Sequence, residues 1–120
     1  RMIDLLDELS FKSQVFNFEL DEAEWINLGN VPMCVSFYST WCTLCPEIEA
    51  YLTQLQDKYQ DKVKFYQINH QKSASLNEKL KVLSVPAFVF IPLKGEIQLL
   101  KGIFPLNAID FTVEDVLLKE

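Results

Sequence analysis

The 120-residue chain contains few cysteines, few glycines and no long apolar run. Its three cysteines are too few for a disulfide framework, and their odd number leaves at least one thiol unpaired within the chain. Because it has only three glycines and no Gly/Ser-rich stretch, no evident linker divides it, and we expect one domain over residues 1–120. Its apolar stretches are far shorter than the ~18 residues of a membrane span, so we expect none.

Positive charge is also scarce. The 11 Lys and Arg residues against 17 Asp and Glu residues give a net charge of −6, and no basic cluster stands out. This balance argues against a nucleic-acid partner. Residues 1–4 lack the charged head and apolar core of a secretory signal, although a first residue of Arg leaves open that a signal was removed.

The rest of the chain alternates between strand-like and helix-like patterns. Residues 33–38 and 87–91 are nearly continuous apolar runs, which are typical of strands covered on both faces. After Pro46, apolar residues recur every three or four positions, which is typical of a helix with one buried face. Strands are predicted over residues 15–20, 33–38, 63–68, 87–91 and 96–100, and helices over residues 3–9, 21–29, 46–59, 75–81 and 106–116.

The order of these elements indicates a three-layer α/β sandwich, because strands and helices alternate before a final hairpin and helix. Residues 93–95 form the turn of the hairpin. A capping box between Thr112 and Asp115 offers a later start for the last helix.

Two cysteines, Cys42 and Cys45, stand where the strand at residues 33–38 leads into the helix that follows Pro46. A helix N-terminus presents unpaired N–H groups and the positive end of the helix dipole, and both favour a thiolate. The second thiol lies one turn along, close enough to form a disulfide with the first. The Cys-x-x-Cys spacing is also half of many zinc sites, so by itself it allows either redox or zinc chemistry.

This arrangement resembles the thioredoxin family. Trp41 precedes the two cysteines, and Val85 and Pro86 open the hairpin at an appropriate separation from them. The resemblance covers residues 15–120 and implies the thioredoxin fold, an α/β/α sandwich with a mixed central sheet. Residues 1–12 are then an N-terminal extension with a short extra helix.

The resemblance favours redox chemistry over zinc. A zinc site needs a second pair of ligands, for which the other cysteine and the single histidine, Cys34 and His70, are the candidates. We therefore expect no metal and no bound cofactor. Cys34 is expected to be an inert core thiol, with regulatory oxidation as the alternative, and His70 to be a surface or loop residue.

The family roles carry over by position. Cys42 is expected to be the exposed nucleophile with a lowered pKa, and Cys45 the more buried thiol that resolves the mixed disulfide. Trp41 is expected to form part of the docking surface. Pro86 matches the family's cis-proline, which leaves the backbone of Val85 free to pair with an extended substrate. The neighbouring residues 104 and 105, Phe and Pro, either extend this apolar platform or cap the core.

The chain also departs from the family pattern. Thioredoxins carry a buried aspartate six residues before the first cysteine, which is Ser36 here, and the lysine that accompanies it corresponds to Gln67. Because a serine is not a base near neutral pH, we expect slower deprotonation of Cys45. Glu47 or Glu49 is an alternative base on the helix, although a solvated helix face is the expectation for both. The residues between the cysteines also differ from the usual Gly-Pro, so the family's redox potential does not transfer.

The resemblance therefore implies a thiol–disulfide oxidoreductase that exchanges disulfides with protein substrates, a reductase by default, with electrons from a partner reductase. We expect a monomer in the cytoplasm, because adjacent redox-active cysteines suit a reducing cytosol. One alternative is a non-catalytic thioredoxin-like interaction module, which the missing acid at Ser36 favours. Another is an exported, for example periplasmic, disulfide oxidase or isomerase.

Overall fold

The computed structural model describes residues 2–102 and 104–119 of the chain. In this part of the chain the strands are β1 (Asp4–Leu6), β2 (Met33–Tyr38), β3 (Lys64–Asn69), β4 (Ala87–Ile91) and β5 (Gln98–Lys101). The helices are α1 (Glu8–Gln14), α2 (Cys45–Tyr59), α3 (Ala74–Leu80) and α4 (Asn107–Thr112), the last continuing as a π-helical turn, Val113–Leu117.

The strands form one mixed sheet in the order β1-β3-β2-β4-β5. β1, β3 and β2 run parallel, whereas β4 runs antiparallel to β2, and β5 runs antiparallel to β4. β2 and β4 therefore lie inside the sheet, and every residue of β4 is buried. A strand covered on both faces has no polar side, which is why both strands are continuous apolar runs in the sequence.

Two hydrophobic cores lie on opposite faces of the sheet. Val35 and Phe37 of β2 pack in the core under α1 and α3, whereas Cys34 belongs to the core under α2 and α4. Ser36 shares the parity of Cys34 along the strand and therefore faces α2. The helices form the two outer layers, so the predicted three-layer sandwich with a mixed sheet is confirmed.

A polar junction joins the end of α2 to α4. The hydroxyl of the buried Tyr59 donates to Asp110 Oδ1 at 2.5 Å and also lies 3.2 Å from Glu114 Oε1. Lys58 Nζ donates to Asp110 Oδ2 at 2.7 Å. The junction supplements the apolar stripe that α2 buries, which consists of Ile48, Leu52, Leu55 and Tyr59.

The charge state of this junction is set by its hydrogen bonds. Burial raises the pKa of Tyr59 to about 12, and the hydrogen bond to Asp110 acts in the same direction. Partial burial also works to raise the pKa of the Asp110 carboxyl, but the hydrogen bonds from Lys58 and Tyr59 outweigh it and hold that pKa below its usual value. At neutral pH a neutral phenol therefore donates to an ionised carboxylate.

The first element differs from the sequence prediction. The helix predicted over residues 3–9 is wrong, because residues 4–6 pair with β3 at the edge of the sheet and the helix begins only at Glu8. Asp7 fixes that start: its side chain accepts a hydrogen bond from Ser10 N at 2.8 Å, and Ser10 Oγ accepts one from Asp7 N at 2.9 Å. This capping box delays the helix until the chain has left the sheet.

The strand predicted over residues 15–20 is also wrong. The segment is irregular, yet it buries Val15, Phe16 and Phe18 in the core under α1 and α3. The ring of Phe16 packs against Trp25 with the ring centroids 5.0 Å apart. The alternating apolar pattern thus reflects packing of an irregular segment onto the core, without strand pairing.

Two predicted helix boundaries change. The helix predicted over residues 21–29 is one 3-10 turn, Glu22–Glu24, because Asp21 makes no side-chain cap and Trp25 is already extended. The later start of α4 is wrong, since Thr112 Oγ1 donates to Ala108 O at 2.7 Å from within a helix that is already formed. The other predicted elements agree with the structure to within one or two residues.

We expect Tyr59→Phe to lower the free energy of unfolding by about 1–2 kcal/mol at pH 7, because it removes the hydroxyl donor from the ionised Asp110. The stabilisation from the Tyr59 hydroxyl should persist up to the usual tyrosine pKa of about 10. It should disappear as the pH rises through about 12, where the phenol of the folded protein ionises. Urea unfolding measures both effects. Tyr66→Phe is the matched control, since the Tyr66 hydroxyl makes no hydrogen bond within the described part of the chain. Equal losses in the two variants would show that the junction adds nothing.

Candidate active site

The connection between β2 and α2 is short and tightly wound. Only residues 39–44 separate the strand from the helix. Cys42 N donates to Ser39 O and Cys45 N donates to Cys42 O, both at 3.3 Å. Trp41 N donates to Ser39 Oγ at 3.2 Å. These turns place Cys42 just before the helix and Cys45 at its first residue, beside the carboxyl end of β2.

The two cysteines are joined by a disulfide, and their Cα atoms lie 5.4 Å apart. They differ in exposure: Cys42 is half-buried, whereas Cys45 is buried with 9% of its surface exposed. A reagent from solvent therefore reaches Cys42 more readily than Cys45. The positive end of the α2 dipole lies beside both, which favours a thiolate when the disulfide opens.

The loop before the cysteines is tied to the loop after β3. Gln71 Oε1 accepts hydrogen bonds from Thr40 N at 3.1 Å and from Thr40 Oγ1 at 3.0 Å. The next residue, Trp41, has 81% of its surface exposed. An exposed tryptophan on an anchored loop is a ready contact for a partner. The sequence offers no signal for Gln71, because an exposed glutamine in a loop has no distinguishing pattern.

Pro86 is placed on the same edge of the sheet. The Val85–Pro86 peptide is cis, as expected, and both residues are half-buried. Ala87 pairs with Phe37 near the end of β2, which places Pro86 beside the connection that carries the cysteines. A cavity of about 240 Å³ opens here, lined by Leu44, Glu47, Ile48, Pro86, Gly102, Phe104 and Leu106.

Phe104 has both of the roles considered for it. It lines this cavity, and its ring packs edge-to-face on the buried Phe88 with the centroids 5.8 Å apart. Pro105 is exposed. The floor of the cavity is therefore continuous with the core under α2 and α4.

A small polar cluster lies under the first turns of α2. Ser36, which is 4% exposed, is the register partner of Gln67 on β3. Gln67 Nε2 donates to Glu49 Oε2 at 3.1 Å and lies 3.4 Å from Ile3 O. The expectation of a solvated helix face is thus wrong for Glu49, which is half-buried, and holds for Glu47, which is exposed.

Comparison with known proteins identifies the family. A family model for thioredoxin matches residues 10–115, most of the chain. The chain belongs to the thioredoxin family. The thioredoxin of Borreliella burgdorferi is 28% identical over 110 residues, which cover 92% of this chain and 93% of that protein.

Other relatives match over shorter parts of their own length. Thioredoxin-1 of Drosophila melanogaster is 40% identical over 57 residues, covering 48% of this chain and 53% of the relative. The chloroplastic thioredoxin M4 of Arabidopsis thaliana is 27% identical over 103 residues, covering 83% of this chain and 53% of the relative. The chain thus spans about half the length of these two proteins.

A solved structure shows the same fold. It comes from a study of the thiol-resolving mechanism in yeast mitochondrial 1-Cys peroxiredoxin via glutathione/thioredoxin systems. It matches with a TM-score of 0.60 at 26% identity, covering 72% of this chain and 80% of that chain. The family membership, the relatives and the Cys42–Cys45 disulfide together identify the chain as a thiol–disulfide oxidoreductase of the thioredoxin type.

Cys34 and His70, the two residues considered as further zinc ligands, lie in other environments. Cys34 is fully buried, and burial raises the pKa of its thiol well above the ordinary value. His70 follows β3 in a 3-10 turn, but it is half-buried, with Nε2 lying 2.8 Å from Val82 O. Among residues 2–102 and 104–119, no three His, Cys, Asp or Glu side chains are grouped so as to hold a metal ion. No helix within the same residues is long and apolar enough to cross a membrane.

We expect the native oxidised protein to resist alkylation by iodoacetamide at neutral pH and to take up one label per chain after unfolding. Cys34 is then the only free thiol, and burial keeps it both inaccessible and protonated. Mass spectrometry of labelled samples with and without denaturant counts the modified thiols. Rapid labelling of Cys34 in the folded protein would contradict its position in the core.

Proposed function

We propose that the chain reduces disulfides in protein substrates through Cys42 and Cys45. The observation that carries this proposal is the difference in exposure within the cysteine pair. An accessible Cys42 lies just before helix α2, and a buried Cys45 is the first residue of that helix. Such a pair suits a cycle in which one thiol meets the substrate and the other acts only afterwards.

The cycle has two exchange steps. The Cys42 thiolate attacks one sulfur of the substrate disulfide, which forms a mixed disulfide and releases the other sulfur as a thiolate. Cys45 then attacks Cys42 Sγ, the Cys42–Cys45 disulfide forms, and the substrate leaves as its second thiolate. Two electrons pass from the dithiol to the substrate. A dithiol on a partner reductase then supplies two electrons to reduce the Cys42–Cys45 disulfide again.

Docking is proposed on the surface around the disulfide. An extended substrate segment pairs with the backbone of Val85, next to Pro86. One of its apolar side chains enters the cavity lined by Leu44 and Phe104, and the exposed ring of Trp41, the residue before Cys42, supplies a further contact. Burial of apolar surface at these residues supplies affinity without reading a particular sequence.

The remaining features of the proposal concern context. We take residues 1–120 to work as one domain, to which residues 1–12 are an addition that supplies the edge strand β1. A monomer in the cytoplasm suits a reductase, because a reducing compartment keeps the dithiol charged with electrons. The alternative, an exported oxidase or isomerase, uses the same exchange steps in an oxidising compartment.

A non-catalytic interaction module is the second candidate. Ser36 favours it, because neither Ser36 nor its register partner Gln67 is an ionisable acid. Such a module would keep Trp41 and the cavity as a binding surface while its disulfide took no part in exchange. The two candidates differ in what happens when a cysteine is removed.

We expect Cys42→Ser to reduce the rate of insulin reduction with dithiothreitol to the uncatalysed rate, because no accessible thiolate remains. Cys45→Ser, reduced beforehand and mixed with insulin in the absence of dithiothreitol, should leave insulin chains attached to Cys42, since no second thiol beside Cys42 resolves the mixed disulfide. Turbidity of the released insulin B chain follows turnover, and non-reducing gels show the trapped adduct.

Cys34→Ala is the matched cysteine control and should reduce insulin like the unsubstituted protein, because Cys34 lies in the core away from the exchange steps. Unchanged activity of Cys42→Ser would contradict the proposal and favour the interaction module.

A further inference from the structure

Resolution of the mixed disulfide requires a proton acceptor near Cys45. While Cys42 is bonded to substrate, Cys45 is a buried thiol, and only its thiolate attacks a disulfide. Burial works against that ionisation, in the same direction in which it raises the pKa of the fully buried Cys34 thiol. An acceptor within reach of Cys45 would therefore determine how fast the protein releases its substrate.

The sheet below Cys45 does not provide that acceptor. Ser36 and Gln67 face α2 from neighbouring strands, as register partners. A serine hydroxyl and an amide are not bases near neutral pH. Cys34, which faces the same layer one step farther along β2, is itself a protonated thiol.

Helix α2 itself carries a carboxylate in the required place. Glu49 follows Cys45 by four residues, so the two side chains lie on the same face of the helix, with Cβ atoms about 6 Å apart. Glu49 is half-buried, and its Oε2 accepts the 3.1 Å hydrogen bond from Gln67 Nε2. Within the described residues Oε1 accepts no hydrogen bond, which leaves this oxygen for a thiol or a bridging water.

We propose that Glu49 accepts the proton of Cys45 during resolution and that Gln67 is the positioning residue that holds its carboxylate under the helix. The assignment rests on the proposed function. The proton moves from Cys45 Sγ to Glu49, directly or through one water, and the thiolate attacks Cys42 Sγ. The Cys42–substrate bond breaks as the Cys42–Cys45 bond forms, and the departing substrate thiolate takes up a proton from Glu49 or from water.

The two lysines nearest to the ends of this region are paired with acids of their own. Lys64 of β3 is paired with Asp4 of β1 at 2.6 Å. At the far end of α2, Lys58 is paired with Asp110 of α4. Glu47 is exposed and lines the cavity. On the side of the sheet, the Glu49 carboxylate has neutral neighbours. These are the amide of Gln67 and, beyond it, the carbonyl of Ile3.

The test is a single-turnover reaction of the reduced protein with a disulfide-linked peptide pair, stopped in acid and resolved by mass spectrometry. Glu49→Gln should slow the decay of the mixed disulfide by at least about ten-fold, while the amide keeps the hydrogen bond with Gln67. Its decay rate should rise about ten-fold per pH unit near neutrality, because only pre-ionised Cys45 then reacts. In the unsubstituted protein the decay rate should depend less steeply on pH. Glu49→Asp should recover part of the decay rate that Glu49→Gln loses.

Asp57→Asn, which removes an exposed carboxylate from the same helix, is the matched control and should leave the decay rate unchanged. A mixed disulfide that decays at the same rate and with the same pH profile in Glu49→Gln would overturn the role of Glu49 and leave the proposed function intact. If the unsubstituted protein formed no mixed disulfide, the proposed function would fail, and the assignment of Glu49 with it.

Discussion

The site depends on one geometric constraint, the short connection between the central strand β2 and helix α2. β2 is fixed on both sides by its register with β3 and β4, and residues 39–44 leave little freedom before the helix begins. The cysteines therefore lie at the carboxyl end of the strand, where a helix N-terminus favours a thiolate. The pairing of Ala87 with Phe37 brings Pro86 to the same edge. Sheet register thus determines which residues can surround the disulfide.

The same constraint divides the thiols into three environments. Cys42 is accessible, Cys45 is buried at the first residue of α2, and Cys34 lies inside the core. Ser36 and the side chain of Gln67 make the strand side of Cys45 polar but neutral, and the ionisable group, Glu49, is on the helix. A carboxylate that is half-buried and hydrogen-bonded keeps part of its solvation, so its charge costs less than that of a fully buried acid.

Most of the fold was predictable because its central elements carry strong patterns. β2, α2 and β4 bury whole faces, and burial of that extent leaves a clear apolar period in the sequence. The strand prediction over residues 15–20 was wrong because an irregular segment that packs on a core can also alternate between apolar and polar residues. The site residues in the Cys-x-x-Cys segment and at Pro86 were evident from type and spacing. The contacts of Glu49 with Gln67 and of Thr40 with Gln71 were not, because they join residues that are 18 and 31 positions apart, respectively, and polar contacts between distant residues leave no periodic pattern in the sequence.

A protein that reduces disulfides must hold its dithiol at a potential that lets electrons leave it. The most direct measurement is the reduction potential of the Cys42–Cys45 pair, obtained by equilibrating the protein in mixtures of reduced and oxidised glutathione and counting alkylated thiols. The reductase account predicts a potential more negative than about −220 mV, within or below the range of the cytosolic glutathione pool. A value near about −120 mV, typical of a strong disulfide oxidant, would contradict it.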